Sequence, residues 1–415
     1  MKKLMLGFFL LALLTSCKVE NQKETILIDV SGNSTEAKQE KQQEFNQTLK
    51  TIKNAGWLKV DPKNLNDWEF KAAEDLDDST DRPIAIHSKK QTAKRANIVA
   101  IFSKKSSAYD TALNSILTLF AGQGLSADLL VLNGENESEE IAEAYAYAES
   151  IKPDLILSFG SKATAWIHDN SEAGTIPVVS VTSKDPVLMG QLPDYASGSR
   201  SHIAYTSLNI PIDLQLSYLK QFRPELSTIG ILYAENNSSA VVTQVDPLIL
   251  AAEKEGIEII RFNVQDQQNA KAELENMMPD LINQMQAKDT ENNQSLLWIT
   301  GSTSVFNEIE TINQFAAGVP VLSVVTDVTV AGEDSAMLSI GVSFESNALM
   351  AAIYAIRILN GESAGNLPVG VATPPDIAIN FAIAQQSGIK IPFSFFESAN
   401  FIYDTKGQPV RAYGQ

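Results

Sequence analysis

The sequence predicts an α/β protein of two similar lobes, each built on a mainly parallel sheet. Three observations lead there. The 415-residue chain repeats a phrase: Thr175–Thr182 reads Thr-Ile-Pro-Val-Val-Ser-Val-Thr, and Gly318–Thr326 reads Gly-Val-Pro-Val-Leu-Ser-Val-Val-Thr. Two more pairs precede the copies in the same order. They are Ile98–Ser103 with Ile229–Ala234, and Leu155–Ser161 with Leu296–Ser302, the last two both ending in Gly-Ser. From 98 to 229, 155 to 296 and 177 to 320 the offsets are 131, 141 and 143 residues, and self-similarity in fixed order marks two units of one architecture. Finally, near-continuous apolar strands alternate with amphipathic helices, the pattern of a parallel sheet covered on both faces.

Each element follows from its residues. Asn97–Phe102 is β-branched and aromatic, hence a buried strand. Ala112, Ile116, Leu119 and Phe120 then share a helical face that ends near Gly122 and Gly124. Leu129–Leu132 is a strand, Glu139–Ile151 a helix, and Pro153 introduces the strand Leu155–Phe159. The second lobe repeats the rhythm with strand Thr228–Tyr233, helix Ala240–Glu255 stopped by Gly256, and strand Ile257–Phe262. A helix over Ala270–Gln286 leads into the strand Leu296–Thr300. His202–Thr206, Met337–Gly341 and Ile377–Asn380 read as crossings between lobes, so the first lobe is completed by later sequence.

The N-terminus reads as a targeting segment. Lys2 and Lys3 precede the eleven apolar-run residues Leu4–Leu14, too few to span a bilayer. Leu14-Thr15-Ser16-Cys17 resembles the bacterial lipoprotein signal, in which cleavage precedes a cysteine that becomes lipidated; an ordinary signal peptide with an incidental Cys17 is the other reading. Cys17 is the sole cysteine, which excludes an intramolecular disulfide. Lys18 replaces the Asp that favours inner-membrane retention in Gram-negative bacteria, so it points outward. Without Lys2 and Lys3, 30 basic residues face 50 acidic ones, a balance of −20 that disfavours nucleic acid. Residues 18–95 are polar. The part to Ala37 reads as a tether, Glu40–Asn54 as a short helix, and Trp57, Trp68 and Phe70 as a small patch packed on the main body. The acidic run Asp75–Asp81 lacks the Gly and Glu of a calcium loop.

The chain therefore divides into a signal peptide (1–16), a tether and polar extension (17–95), lobe one (96–205 plus part of 340–395), lobe two (206–339) and a C-terminal tail (396–415). In open α/β sheets ligands bind beyond the carboxyl ends of the strands. Those ends carry Ser106, Tyr109, Ser161, Thr182 and Asp185 in lobe one, and Asn237, Ser238, Thr300, Ser302, Thr303 and Asp327 in lobe two. Hydroxyls and backbone N–H groups at helix starts can hold a carboxylate, and Asp185 or Asp327 could face an ammonium, which together fit an amino acid or similar zwitterion. Each is equally an ordinary cap or turn residue, and only convergence from both lobes makes a site. Tyr109, Trp166 and Phe306 could stack on a ligand or fill a core. His87, His168 and His202 show no metal-ligand spacing, and no Walker loop, nucleophile elbow or paired acid and base is visible, so neither enzyme nor cofactor is expected.

Lys152-Pro-Asp-Leu-Ile-Leu-Ser-Phe-Gly-Ser161, Ile176–Pro186 with Gly190, Ile229–Ser238 and Ile379-Asn380 with Ala382 and Gly388-Ile389 occur in an order that resembles bacterial ABC-transporter substrate-binding proteins of the periplasmic-binding-protein type I fold, in the subgroup with tryptophan- and tyrosine-binding members. The resemblance covers about 96–395. It implies two Rossmann-like lobes joined by a multi-strand hinge, and a ligand cleft lined near Ser161, Thr182–Asp185, Asn237-Ser238, Thr300–Thr303 and Asp327. Two departures bear on ligand identity. Ser103–Tyr109 lacks the His-Pro of many members, and Thr300-Gly301-Ser302 stands where the family has Thr-Asp-Asn. The function implied is a monomeric, lipid-anchored, extracytoplasmic binding protein that delivers a small-molecule ligand to an ABC permease. The alternative is an outer-membrane lipoprotein of the same fold that regulates a cell-wall synthase.

Overall fold

Two sheets organise the computed structural model, which describes residues 57–72, 83–92, 94–171 and 174–411. The signal segment, Cys17, the tether, the helix expected over Glu40–Asn54 and the acidic run Asp75–Asp81 lie outside these residues. The first sheet contains β1 (Trp68–Ala72), β2 (Ile84–Ser88), β3 (Ala96–Phe102), β4 (Ala127–Asn133), β5 (Leu155–Phe159), β6 (Val178–Val181) and β7 (Ile203–Ala204), in the order β1-β2-β4-β3-β5-β6-β7. From β4 to β7 it is parallel. Every residue of β5 and β6 is buried, because helices cover both faces and leave no place for a polar alternation.

A two-stranded connection, β8 (Thr206–Ser207) with β14 (Gly370–Val371), follows the first sheet. The second sheet contains β9 (Thr228–Ala234), β10 (Glu258–Val264), β11 (Ser295–Ile299), β12 (Val321–Ser323), β13 (Leu338–Gly341), β15 (Asp376–Asn380), β16 (Phe401–Tyr403) and β17 (Pro409–Arg411). Its order is β10-β9-β11-β12-β13-β15-β16-β17. The segment β10-β9-β11-β12-β13 repeats β4-β3-β5-β6-β7 place for place, and the three repeated phrases are β3 with β9, β5 with β11, and β6 with β12. The doubled sequence is a doubled parallel α/β lobe.

The chain passes between the lobes at β7–β8, after β13, and between β14 and β15. After β13 it forms the helix Phe344–Leu359, which packs along the helix Ser107–Gly122 of the first lobe and against β6. The final strands β15, β16 and β17 return to the second sheet, so most of the C-terminal segment, from Phe401 to Arg411, is a sheet edge that follows the helix Phe393–Ser398.

The first lobe starts before Ala96. β1 and β2 form an antiparallel hairpin that pairs onto β4. Trp68 and Phe70 are buried, and the Trp68 indole N–H donates to the Leu117 carbonyl at 3.1 Å. Arg95 holds the Asp128 carboxylate through two hydrogen bonds of 2.5 Å, and His87 of β2 meets the same carboxylate at 2.6 Å. Of the patch expected around Trp57, Trp68 and Phe70, the last two are thus part of the sheet and Trp57 packs edge-on to Phe102 at 5.7 Å, and the polar extension ends earlier than the sequence division places it. Its strands are legible only as a weak period of two, with Ile84, Ile86 and Ser88 inward.

Candidate ligand cleft between the lobes

The carboxyl ends of β3, β5 and β6 face those of β9 and β11 across a cavity of about 470 Å³. Ser106, Tyr109, Ser161, Thr182, Asn237, Ser238 and Thr303 all line it. Its apolar floor comes from Leu208, Val342 and Phe344 of the connecting segments and from Val324 and Val325 just after β12.

Lobe one builds its wall from three strand ends. After β3, the Ser103 hydroxyl donates to the Phe159 carbonyl at 2.7 Å and accepts from the Ala163 N–H at 2.9 Å, locking the first loop to the start of the helix Ser161–Asn170. Tyr109 lies edge-on to Phe102 at 5.5 Å with its hydroxyl against Gly160. Gly160 has φ +88°, and a Cβ there would overlap that hydroxyl, so glycine is required on both counts. Burial, partly offset by the Ser103 hydrogen bond, raises the Tyr109 pKa to about 12. Tyr109 therefore joins the lobe core and the cavity wall at once. Trp166 lines the cavity too while packing on Tyr145 at 5.6 Å, and Phe306 lines it from the other lobe.

After β6 the chain turns sharply. Thr182 has φ +49°, a conformation costly for a β-branched residue. Its N–H donates to Asn347 Oδ1 at 2.7 Å, and its hydroxyl is buried without a hydrogen-bond partner among the described residues. The Lys184 N–H donates to the Ser161 hydroxyl at 2.9 Å, which joins the second and third loops. The Lys184 side chain enters the cavity.

Lobe two answers with β9 and β11. Asn237 accepts from the Ala240 N–H and donates to the Ser302 hydroxyl at 3.3 Å. The following helix is not regular: Val241–Val245 is a π turn, between Ser238–Ala240 and Asp246–Lys254. That turn brings Gln244 to the cavity, where its carbonyl oxygen accepts from the Gly301 N–H at 2.8 Å.

Four expected site residues do not line the cavity. Asp185 is satisfied by its own loop: one carboxylate oxygen accepts from the N–H groups of Val187 and Leu188, and the other from the Tyr195 hydroxyl at 2.6 Å. It caps a turn instead of facing a ligand ammonium. Thr300 donates to the Leu232 carbonyl at 3.0 Å, and Ser302 accepts from the Ala234 N–H at 3.3 Å, so both tie β11 to β9. Asp327 accepts from the Phe344 N–H at 3.1 Å, at the start of the helix Phe344–Leu359. Burial raises its pKa to about 6, offset by that hydrogen bond and reinforced by Asp376 and Glu345.

Lys184, Lys104, Lys162, Asn136 and Gln244 line the cavity without having been singled out as site residues. The one sign of Lys184 in the sequence is its place just after the first copy of the repeated phrase, where Thr182 is followed by Ser183-Lys184-Asp185, whereas Asp327 follows Thr326 directly in the second. For Gln244 there was none, because a π turn leaves no mark in Val-Val-Thr-Gln-Val. His87, His168 and His202 pair separately with Asp128, Tyr205 and Ser171. Among the described residues no group of three His, Cys, Asp or Glu is placed to hold a metal, and no helix is long and apolar enough to cross a membrane.

Comparison with known proteins agrees with this architecture. A tyrosine-binding protein of Clostridioides difficile (strain R20291) is 22% identical over 257 residues, 60% of this chain and 67% of that protein. A conserved domain protein from Vibrio cholerae superposes with a TM-score of 0.60 at 19% identity, covering 74% of this chain and all of that one. An ABC domain from Streptococcus pneumonia in complex with L-Trp gives a TM-score of 0.58 at 18% identity, covering 74% of this chain and 99% of the other. A ligand-free, open substrate-binding protein with adhesive properties from Clostridium difficile gives 0.56 at 20% identity, with the same coverage. The family model for ABC transporter substrate binding proteins matches residues 97–401, and the chain belongs to that family.

Proposed function

We propose that this protein is the lipid-anchored, extracytoplasmic solute-binding component of an ABC importer, and that it closes on a small organic ligand between its lobes. The observation that carries the proposal is the cavity of about 470 Å³ shared by both lobes. Loops from two parallel sheets meet there with hydroxyl and amide groups supported by an apolar floor, the arrangement of a small-molecule site. Amino acids are the leading ligand class, because relatives are named for tyrosine binding or were solved with L-Trp. Closure would use contacts from both sides and shift an open–closed equilibrium. No catalytic step is part of this reading. Cys17 would carry the lipid anchor, and the ligand would pass to a membrane permease.

A thermal-shift screen over amino acids, nucleosides and sugars tests it. A true ligand raises the melting temperature with concentration, as RT ln(1 + [L]/Kd) requires. A screen without a single concentration-dependent shift would count against solute binding.

A further inference from the structure

The cavity has a charge character opposite to that of the chain. The protein carries a formal charge of −18. Yet the charged residues that line the cleft are Lys104, Lys162, Lys184 and Asp169. Asp169 is exposed at the end of its helix, and Lys162 donates to the Asn136 carbonyl. Lys184 is different. It is only 7% exposed, and its ammonium makes no hydrogen bond or ion pair with a described residue. Burial alone lowers its pKa to about 8. An unpaired ammonium in such a place is costly, and natural structures retain one where a partner arrives.

The surroundings are shaped around it. Lys184 reaches from lobe one to Gly301 of lobe two, where a Cβ would overlap its Nζ, so the ammonium occupies space that only glycine leaves open. Two residues earlier, Thr182 also lines the cavity, and its buried hydroxyl has no partner among the described residues. Both groups can donate to an anion, while the two aspartates expected to receive an ammonium are engaged elsewhere or turned away from the cavity.

We propose that Lys184, with the Thr182 hydroxyl, is the anion anchor of the cleft, and that the protein selects solutes by a carboxylate and does not require an ammonium. This rests on the solute-binding reading above and adds the chemical class. A charge-assisted hydrogen bond formed in a dry cleft favours the charged ligand strongly over a neutral analogue. A carboxylate matches one ammonium and one hydroxyl, whereas a phosphate dianion asks for more donors.

The test uses the purified full chain and four probe sets: L-tyrosine and L-tryptophan; phenylpropionate and indolepropionate, which keep the carboxylate alone; tyramine and tryptamine, which keep the ammonium alone; and inorganic and phenyl phosphate. Zwitterions and bare carboxylates should stabilise the wild type, and the amines should not. Lys184→Met should weaken carboxylate binding about tenfold or more. Gly301→Ala, which crowds the ammonium from the opposite lobe, should weaken it in the same direction and serves if Lys184→Met does not fold. Amines binding as well as carboxylates, or variants within about twofold of wild type, would overturn the anchor and leave solute binding standing. Phosphates binding where carboxylates do not would replace the assigned class. Silence of all four sets with wild type would overturn the carboxylate class, and the wider screen over amino acids, nucleosides and sugars decides the solute-binding reading itself.

Discussion

The Lys184 ammonium lies where a Cβ of Gly301 would be, so the two lobes meet through a side chain of one and a missing side chain of the other. The φ of Gly301 is not in the left-handed region, so alanine is tolerated by the backbone, and the conflict is with side-chain tips, the Lys184 ammonium first and the Gln244 Oε1, 3.3 Å away, second. Gly301→Ala should therefore cost no more than about 1 kcal/mol of stability, because both tips can shift, while weakening ligand binding. In a Lys184→Ala background the same change should have little further effect on binding. A double-mutant cycle in Kd reads this coupling directly.

Lys184 also sets a pH dependence. Its folded pKa, about 8, lies below its ordinary 10.5 because burial disfavours the charge. The unfolded chain thus holds the proton more tightly, so the unliganded protein should gain stability as pH rises from 8 towards 10.5, with a penalty at pH 7 on the order of 3 kcal/mol. Lys184→Met should raise the melting temperature of the unliganded protein at pH 7 and flatten this rise. Anion binding has the opposite sign, since it needs the proton: affinity should fall above pH 8. Lys104, also lowered by burial, faces the same cavity with Lys162 and Asp169, so Lys184→Met should reduce the slope without removing it. Calorimetric melts across pH check both statements.

Asp327 predicts a second stability profile. Its pKa is raised from 3.8 to about 6, so its neutral form is favoured by folding. That contribution is complete below pH 3.8 and is lost as pH rises through 6, at a cost near neutrality on the order of 3 kcal/mol. Asp327→Asn keeps an oxygen for the Phe344 N–H and removes the charge. It should stabilise the protein at pH 7 and should have no advantage at pH 4, as measured by urea unfolding at the two values.

The hairpin before Ala96 is a structural part of lobe one. Trp68 is 1% exposed and hydrogen-bonded to Leu117. Trp68→Ala should cost about 3–5 kcal/mol, the range for a buried large aromatic. Protease digestion should then cut the first lobe at denaturant concentrations that the wild type resists. A loss below about 1 kcal/mol would mean that the hairpin is dispensable.

The doubled architecture was legible because β3, β5, β6 and their counterparts are buried on both faces, and such strands must be apolar throughout. The hairpin β1–β2 was not, because an edge covered on one side carries only alternating apolar residues within a polar stretch. The cleft was half legible. Strand ends locate small polar residues, but a carboxylate that caps its own turn and one that meets a ligand look alike in sequence. Asp185 is the case in point: its oxygens are taken by Val187, Leu188 and Tyr195. The substitution of Gly301 for the family's Asp and the presence of Lys184 were each readable alone. That they touch is a fact of folding.

Isothermal titration with L-tyrosine and L-tryptophan, on the wild type, Lys184→Met and Asn237→Ala, probes the shared cleft from both lobes. One site per chain, with affinity weakened at least about tenfold by Lys184→Met and also reduced by Asn237→Ala, is the outcome expected of a ligand gripped between them. Binding that both variants leave unchanged, or a stoichiometry other than one, would place the ligand elsewhere and contradict the cleft as the functional site, whereas an effect of Asn237→Ala alone would remove only the Lys184 anchor.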